Sequence, residues 1–173
     1  MPTGHFPIEM LEKNFAKADA NGNELWKYDG ITSSLVKNIN PGSLNSFPSN
    51  FISFNNQLYF FANDGATGDE LWKSDGTEAG TTLFKENVAG SGSSYPSNML
   101  VAGNTMYLAM ADGVNGTELW KCDGTAAGTV LVKDIYTGSP TSLPRNLCAV
   151  GSTIFFSASS TTGLELWKTD GTA

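Results

Sequence analysis

The tetrapeptide Glu-Leu-Trp-Lys occurs four times in this chain of 173 residues, at Glu24–Lys27, Glu70–Lys73, Glu118–Lys121 and Glu165–Lys168. The copies begin at residues 24, 70, 118 and 165, so the steps between them are 46, 48 and 47 residues. Each copy continues after one residue into Asp-Gly, and prolines recur at steps of 48 at Pro48, Pro96 and Pro144. Repeats of this length are single structural units that stack to bury a shared core. The chain is therefore predicted to contain about four copies of one unit.

Each repeat shows the pattern of four short β-strands. In the third copy the predicted strands are Ser97–Ala102, Thr105–Ala111, Thr117–Lys121 and Thr129–Ile135. Turn-forming pairs separate them, since Gly103-Asn104, Asp112-Gly113 and Asp123-Gly124 lie between successive strands. Four strands in a repeat of 40 to 50 residues favour a β-propeller of four-stranded antiparallel blades, with about 47 residues in each.

The repeated Glu is predicted to have a structural role. If Ser74 lies opposite Thr81 in the hairpin of the third and fourth strands, Glu70 faces Lys85, and the same offset sets Glu118 opposite Lys133. Opposite charges that face each other across a ladder stabilise a sheet modestly.

The repeated Trp alternates with the repeated Leu along its strand, so the two side chains lie on opposite faces of the sheet. Both faces of a propeller blade pack against neighbouring blades, and this favours a structural role for the indoles over a role in stacking against sugars. The residues concerned are Trp26, Trp72, Trp120 and Trp167.

Residues 1–173 are interpreted as one repeat domain of about 3.5 to 4 blades, with an irregular N-terminal segment, residues 1–22. Leu11–Phe15 resembles Leu35–Ile39, which predicts a fourth strand that closes the last blade and sets Lys13 opposite Glu165. A competing alignment matches Pro7–Leu11 to Pro96–Leu100 and makes the opening a shortened first blade. Either alignment leaves one blade incomplete. The chain is then a segment of a larger ring, or it completes its ring with a second copy.

The segment Gly116–Thr129, with Glu-Leu-Trp-Lys-Cys-Asp-Gly-Thr at its centre, resembles the bacterial ELWxxDGT repeat family. Glu70–Thr81 resembles it as well, whereas the first copy departs at Ile31, where the family has Thr. The resemblance implies a propeller-like fold and an extracellular or cell-surface location. It implies no enzymatic activity and supplies no site residues.

Composition excludes several partners. The net charge is −7 and no basic stripe is present, so nucleic acid is not an expected partner. No stretch reaches the ~18 apolar residues that a membrane helix needs, and Met1–Leu11 lacks the pattern of a signal peptide. Cys122 and Cys148 occupy different positions of the repeat, so we expect free, mostly buried thiols.

The candidate ligand-binding residues lie in loops that a propeller gathers on one face. These loops join the second strand of a blade to its third, and the fourth strand to the next blade. The candidates are Asp64, Asp69, Tyr95, Asp112, Asn115 and Arg145. Asp19, Asp64 and Asp112 are also candidate calcium ligands, because calcium takes six to eight oxygen ligands. The simpler interpretation is that each Asp-Gly only forms a turn.

The sequence favours a non-catalytic, lectin-like module that binds glycans or a surface polysaccharide, with calcium as the one candidate cofactor. His5 is the single histidine and lies in the tail, so it is a poor catalytic candidate. One alternative is a scaffold that assembles as a homo-oligomer and binds no small ligand. A second alternative is a glycoside hydrolase that uses Asp64 and Asp69, although nothing marks these two as a catalytic pair.

Overall fold

The computed structural model describes residues 16–172, which form fourteen β-strands and no helix. The all-β prediction is confirmed, and all paired strands are antiparallel. The first sheet contains β1 (Ala16–Asp19), β2 (Gly22–Tyr28) and β3 (Ser33–Lys37), and the second contains β4 (Ser49–Phe54), β5 (Gln57–Asn63), β6 (Asp69–Ser74) and β7 (Thr82–Lys85). The third sheet contains β8 (Ser97–Ala102), β9 (Thr105–Ala111), β10 (Thr117–Cys122) and β11 (Val130–Lys133), and the fourth contains β12 (Arg145–Val150), β13 (Thr153–Ser160) and β14 (Gly163–Thr169).

The strand boundaries of the third repeat follow the prediction closely. β8 and β9 have the predicted ends, and β10 is one residue longer than predicted. β11 is shorter, because the residues at its two predicted ends bond elsewhere. Thr129 donates its hydroxyl to the carbonyl of Thr125 in the preceding turn, and the N–H of Ile135 turns to the Glu118 carboxylate.

The chain divides into two compact units, Met1–Glu86 and Asn87–Ala173. The first unit contains the first and second sheets, and the second unit contains the third and fourth. The boundary follows directly after β7, at the end of one repeat.

The predicted Glu–Lys register is wrong by one residue. Ser74 does meet Thr81, since their hydroxyls lie 2.7 Å apart. Beyond this point a β-bulge between Leu71 and Trp72 inserts one extra residue in β7, so Lys85 lies opposite Leu71 instead of Glu70. Bulges of this kind leave two residues facing one.

The same bulge occurs in the other two repeats with a fourth strand. Lys133 lies opposite Leu119 and not Glu118, and Lys37 lies opposite Leu25. The Lys of the fourth strand is therefore not the cross-strand neighbour of the repeated Glu.

The core of the first unit lies between its two sheets. Leu25 and Val36 of the first sheet form one buried cluster with Phe60 and Trp72 of the second. The second unit repeats this arrangement, because Leu119 and Val132 of the third sheet cluster with Phe156 of the fourth, and the half-buried Trp167 packs against them.

Within each unit, the Leu face of one sheet packs on the Trp face of the next. Trp72 and Trp167 pack in these clusters. Trp120 is also buried, whereas Trp26 is half-buried under the ammonium of Lys17, which lies 4.5 Å from the ring centroid. Each buried Leu contributes about 1.5–3 kcal/mol.

The repeated Lys links neighbouring sheets. Lys27 Nζ donates to the carbonyl of Gly76 at 2.9 Å, and Lys121 Nζ donates to the carbonyl of Gly171 at 2.7 Å. These two Lys residues therefore bond the Asp-Gly turn of the following repeat. This is one reason why Lys and Asp-Gly recur together.

Some predictions fall outside the described residues. The strand expected at Leu11–Phe15, its competitor at Pro7–Leu11 and His5 all lie there. Cys122 is free and buried as predicted, whereas Cys148 is free but exposed, which corrects the prediction that it is buried. Residues 16–172 contain no helix with the length and apolar character that a membrane span requires.

Candidate ligand-binding loops

Three loops of the sequence Ser-apolar-Pro connect one repeat to the next. They are Ser46-Phe47-Pro48, Ser94-Tyr95-Pro96 and Ser142-Leu143-Pro144. In each loop the Ser is fully buried and the central residue is exposed, by 60% at Phe47, 70% at Tyr95 and 41% at Leu143. The central residues are all left-handed, with φ of 47°, 44° and 46°.

These three side chains combine two unfavourable features. A left-handed backbone costs a residue other than glycine about 1–3 kcal/mol, and exposure forgoes the gain from burying a large apolar group. Strained, exposed positions of this kind are concentrated at binding sites. We define Phe47, Tyr95 and Leu143 as the apical residues of the repeats.

In the first unit, the Glu24 carboxylate binds the apical loop that contains Phe47. The Glu24 side chain is fully buried. The carboxylate accepts hydrogen bonds from Ser46 Oγ at 2.6 Å, from the N–H of Ser46 at 3.1 Å and from the N–H of Ile39 at 2.7 Å. The two bonds from Ser46 fix the position of this Ser, and with it the direction of Phe47.

Glu118 has the same role in the second unit. Its carboxylate accepts bonds from Ser142 Oγ at 2.5 Å, from the N–H of Ser142 at 3.0 Å and from the N–H of Ile135 at 3.0 Å. Burial raises the pKa of this carboxyl above its usual value, and the bonds from Ser142 and Ile135 oppose the rise without cancelling it. Glu70 and Ser94 are also fully buried.

Each apical loop is joined to the second strand of its own sheet. The carbonyl of Ser46 accepts the N–H of Asn63 at 2.9 Å, the carbonyl of Ser94 accepts that of Ala111 at 2.7 Å, and the carbonyl of Ser142 accepts that of Ser159 at 2.8 Å. The second strand, which donates the N–H, leads in each case into the loop before the third strand. The structure therefore brings each apical loop close to the loop that starts at Asp64, Asp112 or Ser160, as the sequence predicted for this pair of loops.

The Asp residues of these loops stabilise their own turns. Asp64 Oδ1 accepts the N–H groups of Ala66 at 2.9 Å and Thr67 at 2.8 Å, and the hydroxyl of Thr67 at 3.0 Å. Partial burial favours a raised pKa for Asp64, but these donors outweigh it and hold the pKa below its usual range. Asp64 thus has the turn role that was the simpler interpretation.

The second unit has the same turn at Asp112. Its Oδ1 accepts the N–H groups of Val114 and Asn115, and its Oδ2 accepts Asn115 Nδ2 at 2.7 Å. Partial burial is again outweighed by these donors, so the pKa of Asp112 lies below its usual range. Asp19 binds Asn21 in a similar way in the first sheet. Within residues 16–172, no group of three or more His, Cys, Asp or Glu side chains is arranged to hold a metal ion.

The other candidates occupy separate positions. Asp69 begins β6 and pairs with Asn63 across the ladder. Arg145 is exposed, and its Nε donates to the carbonyl of Leu143 at 3.4 Å, next to that apical side chain.

Sequence reasoning found Tyr95 but missed the other two apical residues. Phe47 and Leu143 precede Pro48 and Pro144 just as Tyr95 precedes Pro96. Reading the repeat one position before each Pro would have found all three.

Comparison with known proteins relates the chain to others by fold alone. No family model matches it, and no curated protein matches it. It is similar to a solved structure from a study of two prolyl endopeptidases, with a TM-score of 0.56, 10% identity, and coverage of 99% of this chain and 24% of that chain. It is also similar to the computationally designed Ika8 protein, with a TM-score of 0.43, 12% identity, and coverage of 88% of this chain and 44% of that chain. The chain thus spans about a quarter of the length of the endopeptidase structure.

Proposed function

We propose that this protein is a non-catalytic binding module that recognises carbohydrate through its apical residues and the adjoining Asp turns. The observation that carries the proposal is the repeated exposure of a large apolar side chain on a left-handed backbone. Sugars bind where an apolar or aromatic surface lies beside hydrogen-bonding groups. Phe47 and Tyr95 supply aromatic surfaces, and the loops that follow Asn63 and Ala111 supply polar groups.

Repetition supports recognition of a polymer such as a surface polysaccharide. Each copy of the site is small and open, and we expect it to bind one sugar unit weakly. Linked weak sites gain avidity when the ligand also repeats. The extracellular or cell-surface location that the sequence suggests is consistent with such a ligand and is part of the proposal.

A glycan array tests the proposal, run with the wild-type protein and with a Phe47→Gly, Tyr95→Gly double variant. Glycine accepts the left-handed backbone, so this variant removes the aromatic groups without adding strain. The matched control is Ile31→Ala, which removes a side chain that is 86% exposed in the turn between β2 and β3.

We expect hits for the wild type and the control and a loss of at least tenfold in signal for the double variant. Equal signals from the double variant and the wild type would reject the apical residues as the site. Absence of all hits would favour the alternative of a scaffold with no small ligand.

The hydrolase alternative has less support. Asp64 accepts three hydrogen bonds from its own loop, which fits a turn residue better than a group that exchanges protons. Turnover of a glycan that disappears in an Asp64→Asn variant would establish it.

We further propose that the four sheets are blades of a β-propeller. The support is the packing of a Leu face on a Trp face in each unit, since this contact can be repeated from blade to blade. A crystal structure that showed the sheets without a common axis would reject this arrangement.

A further inference from the structure

A cavity of about 400 Å³ lies inside the second unit, between its two sheets. The β8–β9 turn lines one side of it with Ala102 and Thr105, and the β12–β13 turn lines the other with Ser152. These turns lie at the ends of β9 and β13 that are opposite to the apical loops. The cavity is therefore separate from the proposed glycan site, and its volume is within the range of small-molecule sites, ~300–1,000 Å³.

The hydroxyl of Tyr107 is a polar group of this cavity that has no partner. Tyr107 lines the cavity and is only 5% exposed. Its hydroxyl makes no hydrogen bond with any other residue in the described range, 16–172. Buried polar groups are nearly always hydrogen-bonded. An unpaired hydroxyl on a cavity wall therefore indicates that a polar molecule binds there.

The second repeat shows why the cavity occurs where it does. There the equivalent Tyr59 packs against Phe54, with ring centroids 5.9 Å apart. In the third repeat Ala102 takes the position of Phe54, so the ring that covers Tyr59 has no counterpart beside Tyr107. The fourth repeat has Phe155 at the Tyr position. Among these three repeats, only the third combines the Tyr hydroxyl with a small residue next to it.

Asp170 supplies a negative charge at the same cavity. Its Oδ1 accepts the hydroxyl of Thr172 at 2.6 Å and the N–H of Thr172 at 2.9 Å. These bonds are the main reason why the pKa of Asp170 lies below its usual range, so the carboxylate is ionised at neutral pH. Burial, together with this charge, raises the pKa of Tyr107. The phenol therefore keeps its proton beside an ionised carboxylate.

The lining of the cavity favours a cationic ligand. It contains the carboxylate of Asp170 and the hydroxyls of Tyr107, Thr105 and Ser152, but no Lys or Arg. An anion would meet repulsion there, whereas an ammonium group offers three N–H donors to these oxygens. Hydrogen bonds between two charged groups are the strong ones. Ile154 adds apolar surface that a short carbon chain can cover.

The neighbouring Lys121 does not neutralise the cavity from within. It helps to lower the pKa of Asp170, but its Nζ donates to the carbonyl of Gly171 at 2.7 Å and it does not line the cavity. Its ammonium group is thus already bonded to the backbone. The acceptors that face the cavity remain for a ligand.

The path of the chain after an Asp-Gly turn leads away from this cavity. In the first unit the carbonyl of Glu78, in such a turn, accepts Lys37 Nζ of β3 at 3.4 Å. The equivalent of Lys37 in the third sheet is Lys133 of β11, at the opposite edge of that sheet from β8. A second cavity of about 490 Å³, which Lys133 and Trp167 line, lies on that side.

We propose that the cavity beside Tyr107 binds a small organic ligand through a primary ammonium group. The ammonium donates hydrogen bonds to the Asp170 carboxylate and to the Tyr107 hydroxyl oxygen, and the carbon chain of the ligand lies against Ile154 and Ala102. The site uses no part of the apical loops, so it is independent of the glycan-binding function.

A titration of the full chain with n-butylammonium chloride tests the site. The protein carries ¹³C-labelled tyrosine rings, and a Tyr107→Phe variant assigns the NMR signal of Tyr107. We expect n-butylammonium to shift this signal saturably. We expect n-butanol, which has the same chain without the charge, to bind at least tenfold more weakly. Sodium chloride at the same concentration is the control for ionic strength and should leave the signal in place.

Variants of the protein locate the binding. We expect Ala102→Phe to abolish it, because this change fills the cavity with the ring that the second repeat has at the same position. Val150→Phe is the matched control, since it adds the same ring at the equivalent, exposed position of the fourth repeat and outside the cavity lining. Asp170→Asn should weaken binding about tenfold, whereas Asp75→Asn, in the equivalent turn of the second repeat, should leave it unchanged.

Four results would each overturn the proposal. The first is the absence of a saturable shift with n-butylammonium. The second is equal affinity for n-butanol, which would reject an ammonium ligand, and the third is an equal shift with sodium chloride, which would show an effect of ionic strength alone. The fourth is undiminished binding to Ala102→Phe, which would place the ligand elsewhere. The glycan array gives its own answer in every case, because it reports on the apical residues.

Discussion

The hydroxyl of Ser142 donates a hydrogen bond of 2.5 Å to the carboxylate of Glu118, which is itself fully buried. This contact joins the end of one repeat to the start of the next. It explains why a carboxylate recurs at a buried strand position. Glu118 holds the loop that contains Leu143 in position, and the Glu24–Ser46 pair repeats this arrangement in the first unit.

Replacing Ser142 with Ala should therefore destabilise the protein through its carboxylate partner. The variant loses one donor to a buried charge, and we expect the free energy of unfolding to fall by about 1.5–3 kcal/mol. The loss should be greater at pH 7 than at pH 4, because only the ionised carboxylate needs the donor strongly. Urea unfolding at both pH values measures it. Ser139→Ala, at an exposed position, is the control; an equal loss in both variants would contradict the prediction.

The raised pKa of Glu118 predicts how stability depends on pH. Because burial raises this pKa above 4.5, the folded protein holds the proton more tightly than the unfolded chain. The contribution of Glu118 is therefore complete below the unfolded value and is lost as the pH rises through the folded value. Glu118→Gln, which cannot ionise, should cost less stability at pH 7 than at pH 4. A cost that grows with pH would show that the pKa is lowered instead.

Substitution by Ala should destabilise the protein to different extents at two glycines that occupy equivalent positions of the repeat. Gly116 and Gly163 both have positive φ, so a Cβ is strained at either site, at a cost of about 1–2 kcal/mol. At Gly116 the new Cβ would also collide with the carbonyl oxygen of Pro140, whereas at Gly163 no atom lies within 4 Å. We expect Gly116→Ala to cost about 1–3 kcal/mol more than Gly163→Ala. Thermal unfolding of the two variants measures the difference, and equal melting temperatures would contradict the close approach.

The strain at Tyr95 predicts that stability and binding can be separated. Tyr95→Gly accepts the φ of 44° without a Cβ and should be more stable than Tyr95→Ala by about 1 kcal/mol. Both variants should lose glycan binding equally, because both lack the ring. Chemical denaturation and the glycan array together measure the two effects. An Ala variant as stable as the Gly variant would show that this backbone is not strained.

The Asp112 turn predicts the response to calcium. Both carboxylate oxygens of Asp112 accept hydrogen bonds from its own loop. We therefore expect neither calcium nor a chelator to change the melting temperature, and Asp112→Asn to keep most of the stability because the Asn oxygen still accepts. A melting temperature that rises with calcium in the wild type but not in the Asp112→Asn variant would instead establish the calcium alternative.

The local features of the repeat were predictable because they depend on neighbours in sequence. Glycine and asparagine pairs mark the turns, and alternation marks the strands, so the ends of β8 and β9 were correct. The opposite faces of Trp and Leu follow from the two-residue period of a strand. The packing of Trp72 and Trp167 follows from that pattern.

The partner of the repeated Glu could not be predicted in the same way. The hairpin register was assigned correctly at Ser74 and Thr81, but one bulge residue moved Lys85 away from Glu70. No local rule places that bulge, and the residues that the carboxylate binds instead lie far along the chain. The hydrogen-bond partner is a Ser that lies 22 or 24 residues further along the chain, at Ser46 for Glu24 and at Ser142 for Glu118.

By itself, the sequence determined an all-β chain of repeated units and the two faces on which each unit packs, since period and turn chemistry act over a few residues. Only the tertiary structure decided that Phe47, Tyr95 and Leu143 are exposed. For Phe47 and Leu143, the loop is held by a Glu that lies more than 20 residues earlier in the chain. The tertiary structure alone also revealed the cavity that Leu119, Phe156 and Trp167 line in the second unit, because a cavity is defined by side chains that different strands bring together.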